Sequence, residues 1–591
     1  MGQAPDRTWR DLLAALAAYL AITLVMFWPV VRHIANCFPS DLGDPPNESW
    51  LVAWTVHALT TAPSQLLQGN IYYPHANALI YNDSLLGLLP IATPLYLISG
   101  GNAALTYNVL FLLSYIMCGI FTYLLARRLT GSAPGAFLAG IIVAYCPYRM
   151  AHVGHLNQLS VQWLLLVLLF WERARTAAGS EGKVKMWPEL LGMVVAYALL
   201  ALCSLYQAAF LATCLVVYLV VYIWQAGELP AQLGWRKRPL SACLHRFAAG
   251  LKHVRVFLLG VAAAGVTLTV ALLPILLPYL SLQSRVAEVR GRDQVLYFAA
   301  DVRDFLRMPP SSMLYGWTQS ALGVPAGDAV QYLFPGLMAL VLARLAWKRG
   351  RELPDIRIYR AILVVTAVLA LGLQLKILDR LYDIPLPYAL LYDHIGLFHS
   401  FRDPARFFFI GFVCLALLAA WGVAALDVRM QSWLPRRRRL ALVLICLAAL
   451  AEYWVAPINA PTVAVGNAVP QVYHWLKDQP PDTPVLELPI GQQTVALWDD
   501  QAMMTYYATY HWQPIVNGLG GYTPAGYEAD ATTLNRWPDA ASSRLLLSWG
   551  VKYVIWHPEW TGRATPPDAA KLPLVVRFAD GIQVYAVTRL G

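Results

Sequence analysis

Charge is scarce in this chain of 591 residues: Lys, Arg, Asp and Glu make up 13% of it, while hydrophobic residues make up 58%. A soluble protein of this length would have to build its surface from Leu, Ala and Val, so a soluble fold is excluded. The eight cysteines include no C-x-x-C pair and none follows Cys446, which argues against a disulfide framework or a cysteine-held metal. A P-loop is missing too, because Gly518 to Gly521 lacks the following Lys-Ser/Thr and reads as a turn. No internal repeat or low-complexity tract is present. The apolar runs carry almost no ionisable residue away from their ends, Glu452 being the main exception. Pumps and transporters place acids or bases near the midplane, where an unneeded charge costs about 3 kcal/mol. That scarcity weighs against a transport path.

What the chain has is long apolar runs, near residues 12–31, 104–126, 134–148, 158–172, 188–203, 207–224, 254–279, 331–346, 361–376, 405–426 and 439–458. Roughly 20 apolar residues cross a hydrocarbon core about 30 Å thick. The runs therefore predict an all-α membrane bundle of roughly eleven transmembrane helices. Residues 85–98 are apolar but short and broken by Pro90 and Pro94, which suits an interfacial or re-entrant segment. Arg7 and Arg10 precede the first run with no A-x-A-like site after it, predicting an uncleaved first span.

The connecting loops alternate in kind. One set is short and basic, as at Arg127-Arg128, Arg173 with Arg175, Arg236 to Arg238, and Arg436 to Arg439. The other is long and carries acids and aromatics, as in residues 32–103, 280–330 and 377–404. Positive charge near a span end resists translocation, so the basic set is predicted inside and the long set outside. The net charge of +10 is mostly this collar and does not point to nucleic acid. Residues 1–460 form the membrane domain on this reading, with 32–103 and 280–330 as its first and fourth external loops, in a multi-pass protein of the cell membrane. From residue 461 the composition turns polar. Strand patterns at 484–489, 551–556, 574–578 and 582–587, the last two joined by Ala-Asp-Gly, predict a small extracytoplasmic α/β domain over 461–591.

Candidate chemistry gathers in the external loops. Asp41, Asp44 and Glu48 lie just beyond the first span and suit either a general base or an oxygen site for a divalent cation. Asp44 before Pro45 also suits a plain helix N-cap. Trp50, Trp54, His57 and Thr61 share one helical face, predicting an amphipathic helix flat on the outer leaflet with its tryptophans at headgroup level. In the second loop His152 and His155 stand one helical turn apart with Arg149 nearby, able to converge on an anion or a metal. The fourth loop holds Arg285, Glu288, Arg290, Arg292 and Asp293, either a phosphate-binding set or ion pairs. A later loop adds Arg402 and Arg406.

With Asp41 and Gly43-Asp44 after the first span, a long first loop, a large fourth loop, Arg402-Asp-Pro-Ala-Arg406 and a soluble tail, the chain resembles the GT-C superfamily of membrane glycosyltransferases, including the bacterial YfhO-type multi-span proteins. The resemblance implies transfer of a sugar from a polyprenyl-phosphate donor to an extracytoplasmic acceptor, with inversion. It casts Asp44 or Asp41 as the base, with or without a divalent cation (Mg or Mn) held by Asp41, Asp44 and His155. Arg149, His152, His155, Arg285, Arg290 and Arg402 would then stabilise the departing lipid phosphate, with Glu48, His57, Glu288 and Arg406 as further substrate contacts. Two other classes remain open at this point: a lipid-linked sugar flippase or exporter, and a non-catalytic envelope-assembly protein.

Overall fold

The computed structural model describes residues 5–180, 183–227, 240–281, 286, 291–323, 330–348, 353–432, 434–492 and 495–588. Every expected span falls on a helix: Pro5–Met26, Ala103–Thr130, Ala133–Tyr145, Gln162–Ser180, Lys183–Cys203, Leu205–Ala226, Leu240–Leu280, Leu337–Trp347, Pro354–Ala370, Phe408–Arg429 and Pro435–Glu452. Six helices among the described residues are long and apolar enough to cross a membrane: Trp9–Met26, Ala103–Thr130, Val184–Cys203, Leu205–Ala226, Phe247–Leu280 and Pro404–Ser432. The chain is a membrane protein. Local chemistry sets the helix ends. The Asn102 side chain accepts from the Leu105 N–H, Ser132 does so for Gly135, and Gly131 supplies the left-handed residue (φ +69°) that ends the helix before it.

The centre of the bundle is the helix Phe408–Arg429, buried at every position from Phe408 to Val423. Without a hydrophobic driving force between helices in lipid, close packing needs small residues at the crossings. A Cβ at Gly422 would stand 2.1 Å from the Leu342 carbonyl oxygen, and one at Gly135 2.5 Å from that of Ala420. At the basic end, the buried Glu172 accepts hydrogen bonds from the Tyr218 and Tyr359 hydroxyls, both 2.7 Å, and from Arg175. It thereby staples three helices.

The two kinds of loop lie at opposite ends. Basic residues pair at one end, as in Arg175 with Asp355 (3.0 Å) and Arg438 with Asp427 (2.6 Å). At the other end the long loops meet the tail. The Phe38 N–H donates to the Pro461 carbonyl, Tyr72 to Asn517, Met313 to Trp454, and the Tyr522 hydroxyl to Ser400. The tail contains a four-stranded sheet in the order Val485–Leu488, Tyr553–Trp556, Gln583–Ala586, Leu574–Arg577. The first pair is parallel and the others antiparallel, and the last two strands pair as the expected terminal hairpin.

Two expectations change. The helix Asp44–Thr61 does not lie on the leaflet, because the tail covers it: Trp50 is fully buried and Trp54 nearly so. Their indole N–H groups donate to Asn70 and to the Leu66 carbonyl. The span expected to reach residue 376 stops at Ala370, and an antiparallel hairpin of Gln374–Ile377 with Arg380–Pro385 follows. Residues 85–98 hold, as expected, only a short proline-interrupted helix, Leu89–Ile98 with Pro94 inside it.

Candidate active site

Asp44 is the first residue of its helix, and the N-cap is Gly43, with no side-chain cap bond. The capping role is therefore vacant, and the carboxylate is turned instead toward the second loop, where its Oδ2 lies 2.8 Å from His155 Nε2. Burial alone would raise the Asp44 pKa. The hydrogen bond and charge of His155, together with the Arg402 and Arg406 guanidiniums, more than offset that and hold it below its ordinary value. Residues 44, 155, 402 and 406, separated by up to 362 positions, thus act on one carboxylate. No described group donates a hydrogen bond to the second Asp44 oxygen.

Arg406 is fixed from two sides. Its Nε donates to Asp403 Oδ2 at 2.9 Å, and its guanidinium lies 4.9 Å from the centre of the Tyr206 ring. Among the described residues only Nε is engaged, which leaves the terminal nitrogens as a planar fork for an anion. Arg402 lies over Phe298, 4.8 Å from the ring centre, and its backbone N–H donates to the Tyr206 hydroxyl. Asp41 stands beside Asp44 but serves the loop: its Oδ2 accepts from Ser40 Oγ at 2.6 Å and its Oδ1 from the Gly43 N–H at 3.0 Å.

Glu48 lies one turn beyond Asp44 and is buried, so it does not face solvent. Its carboxylate accepts from the backbone N–H groups of Leu156 and Asn157, and burial, with Asp44 nearby, pushes its pKa well up. One helix therefore grips the second loop twice, at His155 and just after it. Glu48→Ala leaves two inward N–H groups unpaired, which is expected to cost roughly 2–4 kcal/mol in denaturant unfolding; Glu48→Gln, which keeps one carbonyl acceptor, should cost less. Equal, near-zero losses in both variants would show that the loop holds itself.

Other expected site residues are placed elsewhere. Arg149 is fully buried and spends its guanidinium on the protein: Nε on the Ala144 carbonyl (2.9 Å), Nη1 on the Leu159 carbonyl (2.7 Å), Nη2 on Ser114 Oγ (3.2 Å). It is a structural cation, because interior carbonyls have no other donors to satisfy them. His57 stacks on Trp512 of the tail with centroids 4.1 Å apart; thirteen residues along the helix put it roughly 20 Å from Asp44. His152 does sit beside His155, ring centroids 5.5 Å apart, but its Nδ1 is bonded to the Tyr148 carbonyl. Burial, with His155 and Arg406 nearby, lowers its pKa to about 3, so it is neutral and no anion-binding cation. Arg285, Glu288 and Arg290 lie outside the described residues.

Among the described residues no group of three His, Cys, Asp or Glu side chains is arranged to hold a metal ion. Asp41, Asp44 and His155 do not fit one in this arrangement: the Asp41 oxygens are committed to the loop and the His155 nitrogen facing Asp44 is committed to its carboxylate.

The tail contributes what sequence reasoning missed. A Cβ at Gly43 would lie 3.0 Å from Asp499 Oδ1 and 3.1 Å from Trp498 Cδ1, so the helix Val495–Tyr507 closes over the first loop. Burial, then Asp41 and Asp44, raise the Asp499 pKa. The only sequence signal was a Trp-Asp-Asp run at a helix start, with nothing to say what it faces.

No curated protein matches the chain. Among solved structures it is similar to the arabinofuranosyltransferase AftD from Mycobacteria, with a TM-score of 0.58 at 15% identity, covering 100% of this chain and 40% of that one. It is also similar to the archaeal oligosaccharyltransferase AglB from Archaeoglobus fulgidus, solved with an inhibitory peptide and a dolichol-phosphate; the TM-score is 0.51 at 11% identity, covering 99% of this chain and 75% of that one. The chain thus spans less than half the length of AftD. At such identities the likeness is one of fold, that of the GT-C glycosyltransferases. A family model described as Domain of unknown function (DUF6311) matches residues 15–451, more than half of the chain. The protein is a GT-C-fold membrane protein and belongs to the DUF6311 family.

Proposed function

We propose that this protein is an integral membrane glycosyltransferase that moves a sugar from a polyprenyl-phosphate donor to a hydroxyl acceptor at the extracytoplasmic face. The observation that carries the reading is the ionised Asp44, bonded to His155 and set within the field of Arg402 and Arg406. A base and an anion site side by side are what glycosyl transfer with a phosphate leaving group requires.

The acceptor oxygen attacks the anomeric carbon of the donor on the face away from phosphate. As that bond forms, the bond from the anomeric carbon to the phosphate oxygen breaks with its electron pair, and the configuration inverts. The acceptor proton passes to the unengaged oxygen of Asp44. The lipid phosphate leaves with the extra negative charge, which the Arg406 fork and Arg402 stabilise. His155 orients the carboxylate through Nε2. Donor binding also prepares the base: its phosphate offsets part of the arginine field that depresses Asp44, so Asp44 becomes a stronger proton acceptor when a donor is present. No step runs through a metal.

In this reading the helix bundle crosses the cell membrane, the basic ends lie in the cytoplasm and the tail lies outside. The apolar central helix, buried from Phe408 to Val423, favours chemistry at one face over the exporter reading. The test is turnover of a panel of radiolabelled polyprenyl-phosphate monosaccharides by membranes containing the protein, with and without EDTA. Release of polyprenyl phosphate from at least one donor, unaffected by the chelator, is expected. Binding of such donors with no turnover of any of them would leave a lipid-binding protein instead.

A further inference from the structure

The hairpin Gln374–Ile377 with Arg380–Pro385 is a rigid feature with an unusual surface. Its turn residues Leu378 and Asp379 are left-handed (φ +51° and +63°), the geometry that matches the strand twist. Its tip is held down: the Asp379 N–H donates to Asp301 Oδ2 at 2.8 Å and its carboxylate pairs with Arg303. The strand Arg380–Pro385 is nonetheless exposed along its whole length. Leu378, Leu381, Tyr382 and Ile384, with Val302 and Leu306 on the segment that clamps the tip, are between 41% and 62% exposed. The strand also carries the exposed Arg380 and Asp383, so its apolar side chains sit among charges, the mixture of an amphipathic segment at a membrane surface.

The position of the patch identifies what covers it. The hairpin follows directly from the helix Pro354–Ala370, and the clamping segment is tied to the same helix end by the Ala300 N–H donating to the Ala370 carbonyl. A strand of six residues reaches about 20 Å, so the patch lies within that distance of the helix end. It continues an outward apolar surface on the helix itself, where Val364 is 51% exposed. Tyr382 fits the headgroup zone, where aromatic rings with a polar tip gather. The chain then runs on to Arg402 and Arg406 in the same loop.

We propose that the second strand of the hairpin, through Leu381, Tyr382 and Ile384, docks into the lipid leaflet on the active-site side and forms the surface past which a lipid donor approaches Arg402 and Arg406. The proposal rests on the proposed function for the identity of that lipid, but its test does not depend on turnover. Leu381→Cys and Ile384→Cys proteins are labelled with the fluorophore NBD and placed in phosphatidylcholine nanodiscs containing acyl-chain-brominated lipid. Leu574→Cys on the outer strand of the tail, 51% exposed, is the control, and the unsubstituted protein gives the background from native cysteines. A strand seated roughly 5–10 Å into the leaflet should lose about half its fluorescence to bromine, with the control unaffected. Bromine quenching at 381 and 384 no greater than at 574 overturns the proposal. In that case iodide quenching at the strand would indicate water contact, and protection from both quenchers would indicate a protein partner.

Discussion

Asp44→Asn protein should fold, reach the membrane and lose transfer activity by about 10²–10⁴-fold, the usual worth of a positioned general base. The substitution isolates the proton because nothing else changes much. Asn keeps the shape and can still bond His155. Gly43, not residue 44, occupies the N-cap, so no capping bond is at stake. Single-turnover transfer from a lipid-linked donor is the measurement. Asp41→Asn should cost far less, since Asp41 uses both oxygens within its loop and Asn still accepts from Gly43. Full activity in both variants and in the double variant would remove the proposed mechanism, and the reverse order of losses would transfer the base role to Asp41.

The pH profile supplies the sign. Asp44 is held below its ordinary value of 3.8. A carboxylate with a depressed folded pKa contributes stability that is present above its unfolded value and is lost as pH falls through the folded one. Its ionised, active form persists over the same range. The acid limb of kcat/KM should therefore lie below pH 4 in the native protein and move upward in His155→Ala, where the hydrogen bond and charge are gone but burial remains. An unmoved limb would mean that the titrating group is not Asp44.

Arg406→Lys should raise the KM for the donor by about 10-fold to 100-fold with a smaller change in kcat, because the ammonium keeps the charge but loses the planar fork. Arg406→Ala is a different experiment. It strands Asp403, 3% exposed, whose second oxygen already has no partner among the described residues. An uncompensated buried charge costs about 3–5 kcal/mol, so that variant should lose stability as well as donor binding. Arg406→Ala with Asp403→Asn should recover most of the stability and none of the donor affinity. Unchanged donor KM in Arg406→Lys would make the Asp403–Arg406 pair purely structural.

The residue order alone determined most of the membrane helices and the tail strands. Helix positions followed from apolar runs that must satisfy every backbone hydrogen bond internally once in lipid. The tail strands followed from alternation and from the Asp580-Gly581 turn, because a half-buried strand has period two and a tight turn needs a left-handed residue. The separation of basic from acidic and aromatic loops was equally legible and matches the two ends of the bundle. The residue types at the loop starts, Asp44, His155, Arg402 and Arg406, were legible as chemistry.

Which of them meet was decided only by the tertiary structure. Arg149 looked as available as Arg406, yet its surroundings are carbonyls and its donors are consumed, whereas Arg406 keeps its fork because Asp403 takes only Nε. Trp50 and Trp54 carry the pattern of an interfacial anchor, and period alone cannot distinguish a lipid headgroup from a covering domain. Asp499 reaches the first loop across more than four hundred residues, since Gly43 has no side chain to keep Trp498 and Asp499 away. Local patterns report which face of an element must leave water. The partner against which it does so is selected by packing between distant segments, and the candidate site is built from four of them.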